Sequence, residues 1–119
     1  MGKLTSHVLD VTAGTPARGL KVELHALDGS GSSPTLLAQL HTNQDGRCDK
    51  PLLEGEALHA GRYTLTFHVA EYFRRAGLQL PEPPFLEDVV VRFGIADPRQ
   101  NYHVPLLVTP WSYSTYRGS

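Results

Sequence analysis

The feature that most constrains this chain is an alternation of apolar and polar residues in its middle. In RYTLTFHV, residues 62–69, every second residue is apolar, from Tyr63 to Val69, and the residues between them are polar. A period of two places alternate side chains on opposite faces of an extended strand, whereas a helical face would repeat about every 3.6 residues. The segment therefore predicts a β-strand with one buried face.

Other segments carry the same signal. KVELHAL repeats the alternation, further short segments are rich in apolar or β-branched residues, and Gly, Pro, Asn and Asp separate them. The predicted strands cover residues 6–11, 21–27, 35–42, 62–69, 88–95, 101–108 and 111–117. AEYFRRAGL, residues 70–78, is the one helical candidate, and Gly29–Ser33 predicts a hairpin connection. These patterns predict an all-β sandwich with one short helix.

Length and composition narrow the class of protein. A chain of 119 residues fits one domain, residues 1–119. A net charge of −1 without basic clusters argues against a nucleic-acid or membrane partner, and no apolar run marks a signal peptide or a membrane span, so we expect a cytoplasmic protein. The single cysteine, Cys48, fits a reducing compartment and is either a packed thiol or a nucleophile.

Strand parity places two histidines on outward faces. If Tyr102 and every second residue after it face the core, then His103, Pro105 and Leu107 face outward. The same rule turns His7 outward if its neighbour Val8 is buried. An outer face with a proline and a leucine beside a histidine predicts a contact surface, where an imidazole can titrate near neutral pH. Because proline lacks an N–H, we expect the 101–108 strand to be an edge strand or to be irregular at Pro105.

The candidate chemistry is limited. Six histidines are present, but CxxC, HxH and HExxH motifs are absent, so the sequence predicts no metal site. Arg47 follows the Asp45-Gly46 turn, where a guanidinium can hold a carbonyl or an oxyanion, or simply be solvated. Parity within the last residues, YSTYRGS, predicts an ordered strand. Residue patterns alone thus give a β-sandwich with binding faces and no named substrate.

Three segments together resemble one family. SHVLDVTAGTPARGLKVEL, HTNQDGRCDKPLL and YHVPLLVTPWSYSTYRGS are similar to the 5-hydroxyisourate hydrolases, the transthyretin-related enzymes of urate breakdown. The resemblance runs from about Leu4 to Ser119. The closing Tyr-Arg-Gly-Ser is its most specific part, since the thyroid-hormone carriers of the same fold lack it. Gln44 and Trp111-Ser112 depart from what many members carry at these positions.

The resemblance implies a transthyretin-like sandwich of two four-stranded sheets with one short helix. It also implies a homotetramer, a dimer of dimers, with active sites between dimers and with no metal or organic cofactor. The substrate would be 5-hydroxyisourate, opened by water to 2-oxo-4-hydroxy-4-carboxy-5-ureidoimidazoline. The residues carried over as catalytic are His7, Arg47, His103 and Ser119, and those that would bind or line the pocket are His7, Arg47, Tyr116 and Gly118.

Roles follow from the chemistry of these groups. The two histidines would share general-base work and proton relay, and Arg47 would stabilise the oxyanion. The Ser119 hydroxyl or a terminal carboxylate would orient a histidine or relay a proton, and Arg117 would have a structural or intersubunit role. A transthyretin-type carrier of a small ligand in the same channel is the alternative, and a structural or partner-binding sandwich is a third hypothesis.

Overall fold

A computed structural model describes residues 2–27 and 33–119. The predicted hairpin connection over Gly29–Ser33 lies outside the described residues except for Ser33. The elements in chain order are β1 (Lys3–Asp10), β2 (Thr15–Pro16), β3 (Lys21–Leu27), β4 (Thr35–His41), β5 (Leu53–Glu54), a 3₁₀ turn (Gly55–Ala57), β6 (Gly61–Phe67), α1 (Val69–Arg75), β7 (Val89–Ile95), β8 (Tyr102–Val108) and β9 (Tyr113–Thr115). Within the described ranges, no helix has the length and apolar character needed to cross a membrane.

The strands form two sheets. One has the order β2-β1-β8-β9, with β5 also paired to β1, and the other has the order β4-β3-β6-β7. Strands β1 and β8 run parallel, and the remaining pairs are antiparallel. The predicted two-sheet sandwich with one short helix is confirmed. The two-residue strands β2 and β5 are additions, and because both pair with β1 the first sheet has five strands where the resemblance implies four.

Alternation along the strands builds the core. On β6 the inward residues Tyr63, Leu65 and Phe67 are buried, as the period of two predicts. On β1 the buried positions alternate with half-buried ones around Val8, which turns the intervening residues outward. On β8 the alternation holds except at Pro105, which is buried although strand parity predicted an outward position. Burial of a large apolar side chain contributes about 1.5–3 kcal/mol, so this pattern fixes which face of each strand meets the other sheet.

The prediction of an edge strand at Pro105 is wrong, because β8 lies between β1 and β9. The predicted irregularity is present instead. Residues 106–108 pair with β9, and pairing resumes only at His103 and Gly118, which exchange both backbone hydrogen bonds. The next hydrogen-bonding position would be Pro105, which has no N–H to donate. Its carbonyl accepts from the Thr115 hydroxyl at 2.7 Å, so a side chain of β9 satisfies this carbonyl where the ladder is interrupted.

Helix α1 is attached to the first strand through a buried polar pair. The Tyr72 hydroxyl donates to Asp10 Oδ2 at 2.8 Å, and Asp10 Oδ1 accepts from the backbone N–H of Ala13 at 3.0 Å. Asp10 is 3% exposed. Burial, and next the hydrogen bond to Asp10, raise the pKa of Tyr72 to about 12, so its hydroxyl stays a donor at neutral pH.

Replacing Tyr72 by Phe is expected to lower the free energy of unfolding by about 1–3 kcal/mol, because a buried carboxylate loses a donor. Urea unfolding of the variant measures this. The matched control is Tyr63→Phe, which removes a hydrogen bond to the uncharged carbonyl of His59 and should cost less, about 0.5–1.5 kcal/mol. An equal or smaller loss for Tyr72→Phe would contradict the role of the Asp10 pair.

Candidate active site

The outer face of β1 and β8 carries both predicted histidines. In the parallel register Thr5 lies opposite His103, and His7 lies opposite Pro105. Thr5, His7 and His103 are half-buried on the side of the sheet away from the core, whereas Pro105 is buried. The inward prediction for Val8 and the outward one for His7 are both confirmed. Two imidazoles therefore lie on neighbouring strands of one surface.

A tight turn presents Arg47 to this surface. The Asn43 side chain builds the turn, since its Oδ1 accepts from the backbone N–H of Asp45 at 2.9 Å and of Arg47 at 3.2 Å. The backbone N–H of Asn43 in turn donates to the Arg47 carbonyl at 2.7 Å. An asparagine suits this position because its short amide mimics a backbone turn. Asn43 is not among the residues predicted for the site from the sequence.

Gly46 attaches the turn to β1. Its carbonyl accepts from the Val8 N–H at 2.8 Å, and the next residue, Arg47, forms a backbone bridge with His7. The Gly46 backbone has φ of +76°, and a Cβ there would lie 2.4 Å from the Val8 carbonyl oxygen. Only glycine combines this conformation with so close an approach. The Asp-Gly-Arg sequence thus places Arg47 beside His7 through its backbone, independently of the arginine side chain.

The C-terminal segment packs against His103. The backbones of His103 and Gly118 exchange hydrogen bonds of 3.2 and 2.7 Å. Arg117 holds the segment in place: its guanidinium lies 4.5 Å from the centre of the Tyr102 ring and donates to the Asn101 carbonyl at 2.8 Å. These contacts lie within one chain and give Arg117 the structural role proposed as one of its two alternatives.

The other two residues of the closing tetrapeptide, Tyr116 and Ser119, lie at the edge of the surface that carries the histidines. Tyr116 is 61% exposed and follows Thr115 where the ladder is interrupted beside Pro105. Ser119 is exposed, lines a shallow depression with Arg99 and Arg117, and forms no hydrogen bond to either histidine. The structure therefore brings His7, Arg47, His103 and Gly118 together in one chain. It does not place the Ser119 hydroxyl on an imidazole.

The electrostatics of the site centre on His103. Partial burial, followed by the positive charge of Arg47 and then by His7, lowers the pKa of His103 below its ordinary value. The imidazole is therefore neutral at neutral pH and able to accept a proton. Its Nδ1 lies 2.8 Å from the Thr5 hydroxyl, a contact that sequence reasoning missed. Thr5 and His7 share a strand face two residues apart, but the register that brings Thr5 to His103 joins two distant strands.

Metal binding and thiol attack are two further kinds of chemistry to which the histidines and Cys48 are relevant. Within residues 2–27 and 33–119, no three His, Cys, Asp or Glu side chains come together as potential metal ligands. Cys48 is half-buried next to the turn, and burial, with a smaller contribution from Asp49, raises the pKa of its thiol. A raised pKa keeps the thiol protonated and a poor nucleophile, which favours the packed-thiol alternative for Cys48.

For the hydrolysis that the family resemblance implies, Gly118→Ala is expected to lower kcat about tenfold or more while the protein stays folded. An added Cβ would lie 3.0 Å from His103 Cβ and 3.1 Å from its Cδ2, so the ring must move. The control is Gly94→Ala, whose Cβ would meet nothing nearer than 3.8 Å. Steady-state hydrolysis and thermal melts of both variants test this, and wild-type kcat in Gly118→Ala would show that the contact with the ring is irrelevant.

Comparison with known proteins shows to which family the chain belongs. Residues 4–118 match the sequence model of the HIUase/Transthyretin family. The chain belongs to this family. The resemblance noted in the sequence is thereby confirmed, and it extends over nearly every described residue.

Within the family the chain groups with enzymes. It is 56% identical over 119 residues to the 5-hydroxyisourate hydrolase of Ralstonia nicotianae, covering 100% of both chains. The structure of Klebsiella pneumoniae 5-hydroxyisourate hydrolase is 36% identical with a TM-score of 0.81 over 100% of both chains. Sea bream transthyretin, solved in complex with thyroxine, has a TM-score of 0.86 but only 26% identity, covering 98% of this chain and 94% of its own. The prediction that the chain is an enzyme of this family is confirmed.

Proposed function

We propose that this chain hydrolyses 5-hydroxyisourate to 2-oxo-4-hydroxy-4-carboxy-5-ureidoimidazoline, as the names of its relatives suggest for the substrate. One observation carries the proposal. The parallel pairing of β1 and β8 brings His7 and His103 onto one outward face, and a backbone bridge from His7 places Arg47 beside them. That set supplies a base near neutral pH and a fixed positive charge, the two requirements for water attack on an acyl carbon.

His103 is proposed as the general base. Its lowered pKa leaves it neutral at pH 7, and the Thr5 contact at Nδ1 leaves Nε2 to meet the water. Nε2 takes a proton as the water oxygen bonds to the acyl carbon of the six-membered ring. The tetrahedral intermediate then breaks its acyl C–N bond, and the same proton passes to the leaving nitrogen. The histidine is thus regenerated, and no metal or organic cofactor is required.

Arg47 is proposed to stabilise the oxyanion. The guanidinium is permanently charged and planar, so it can hold the carbonyl oxygen as negative charge develops on it. His7, bridged to Arg47 through the backbone, is placed to hold the substrate or to relay the proton. Tyr116 and Gly118 would line the pocket, and Ser119 would act at its rim after substrate binds, since its hydroxyl contacts neither histidine here.

We further propose that residues 1–119 act as one domain within a homotetramer, a dimer of dimers, in the cytoplasm. Strand β7 is one edge strand of its sheet and β9 is one edge strand of the other, and β7 carries the largely apolar sequence VVVRFGI. An unprotected apolar edge favours pairing with another copy. The outer face of β1 and β8 would then line a channel between dimers. Light scattering should show four chains per particle.

The function is tested with fresh 5-hydroxyisourate, generated by urate oxidase. Its decay, followed by absorbance, should be faster with the protein than without it, and a chelator should not change the rate. Saturable binding of a small aromatic ligand without any acceleration would instead favour the transthyretin-type carrier. Neither binding nor acceleration would leave the structural sandwich as the better hypothesis.

A further inference from the structure

The hydroxyl of Thr5 is not a reacting group in the mechanism proposed above, yet it lies 2.8 Å from Nδ1 of His103. The two residues are 98 positions apart in sequence and face each other in the parallel register of β1 and β8. Both are half-buried, and both lie on regular strands, so their separation is set by the sheet and not by a loop. The geometry is that of a fixed support for the imidazole.

The contact with Thr5 matters because it can decide which nitrogen of the His103 imidazole carries the hydrogen. A neutral imidazole carries its hydrogen on one nitrogen, and the hydrogen bond of that nitrogen decides which one it is. A hydroxyl that accepts from Nδ1–H leaves the lone pair on Nε2. After Nε2 takes a proton, Nδ1 still carries its hydrogen and the contact persists. Because the hydroxyl is uncharged, it orients the ring without favouring the imidazolium as a carboxylate would.

The opposite side of His103 is also confined. Gly118 packs so closely that a Cβ there would lie 3.1 Å from His103 Cδ2, and its backbone is hydrogen bonded to that of His103. The ring is therefore held between the Thr5 hydroxyl and the Gly118 backbone. Gly118 limits the position of the ring, and Thr5 alone of the two distinguishes one ring nitrogen from the other.

We propose that Thr5 is a positioning residue for His103, which holds the imidazole as the Nδ1–H tautomer and so makes Nε2 the nitrogen that exchanges the proton with water. This inference rests on the proposed function for its catalytic consequence. Its structural part, the choice of tautomer by Thr5, stands independently of any substrate. Thr5 itself touches no reacting atom in this scheme.

The test compares Thr5→Val with Thr5→Ser. Valine keeps the shape and removes the hydroxyl, so we expect kcat to fall about 10- to 100-fold with KM changed less than about threefold. Serine keeps a hydroxyl and should hold kcat within about threefold of wild type. Thr64→Val, a half-buried strand threonine in the other sheet, is the control and should leave kcat unchanged. Wild-type kcat in Thr5→Val, or an equal loss in Thr5→Ser, would overturn the proposal.

A second readout needs no turnover. The ¹⁵N chemical shifts of the His103 ring at pH 8 should show hydrogen on Nδ1 in the wild type and in Thr5→Ser, and a shift toward Nε2–H in Thr5→Val. An identical ¹⁵N pattern in wild type and Thr5→Val overturns this inference even if hydrolysis is observed. A wild-type protein without hydrolytic activity defeats the proposed function instead, so the two failures are distinguishable.

Discussion

His103→Asn is expected to lower kcat/KM for 5-hydroxyisourate by about a thousandfold, the middle of the range for loss of a general base. Asparagine removes the titrating imidazole, while its amide can still bond to Thr5 and its backbone can still pair with Gly118. The fold and the assembly should therefore survive, as circular dichroism and light scattering would show. Initial rates measured against the spontaneous decay give the loss.

Two further variants make the His103 result specific. His41→Asn changes an exposed histidine on β4, outside the site, and should leave kcat/KM at the wild-type value. His7→Asn should reduce activity at every pH but keep the fall in kcat/KM at low pH, the acidic limb of the pH profile. That fall is expected to reflect protonation of His103. An acidic limb that disappears in His7→Asn and persists in His103→Asn would reverse the two roles.

Arg47→Ala is expected to lower kcat about 100- to 1,000-fold, the loss typical for one donor to an oxyanion. It should also move the acidic limb of the pH profile to higher pH. Burial is the main reason that the pKa of His103 is low, and the charge of Arg47 is the next. Removing that charge lets the pKa rise toward the ordinary histidine value of about 6.5, so protonation silences the base at a higher pH.

Arg47→Lys separates the effect of the positive charge on the pH profile from the effect of the planar donor pair on kcat. Lysine keeps the charge, so the acidic limb should stay near its wild-type position. Its ammonium lacks the planar pair of donors, so kcat should stay well below wild type. Profiles of kcat/KM from pH 5 to 9 for the three proteins provide the comparison. A limb that does not move in Arg47→Ala, or full activity in Arg47→Lys, would contradict the assignment.

The sequence predicted what depends on local pattern. The period of two on β6 and around Val8 correctly assigned buried and outward faces, because each face follows from the parity of the strand itself. The turn at Asp45-Gly46 was also predicted correctly from the local sequence. The family resemblance, and not the pattern, supplied the reaction and the grouping of His7, Arg47 and His103.

What the sequence did not predict depends on pairing between distant segments. The parallel partnership of β1 and β8 places Thr5 on His103, and nothing in the neighbourhood of either residue encodes that register. Pro105 suggested an edge for the same reason: its missing N–H is a local fact, whereas the Thr115 hydroxyl that donates to its carbonyl comes from another strand. The position of Ser119 away from the imidazoles was also beyond a parity argument, which places side chains on faces and not on partners.

The most direct measurement of the central claim is the decay of freshly generated 5-hydroxyisourate with wild type, His103→Asn and His41→Asn in parallel. We expect wild type and His41→Asn to accelerate the decay equally, and His103→Asn to leave it near the spontaneous rate. A decay rate that is the same with and without the wild-type protein would contradict the account.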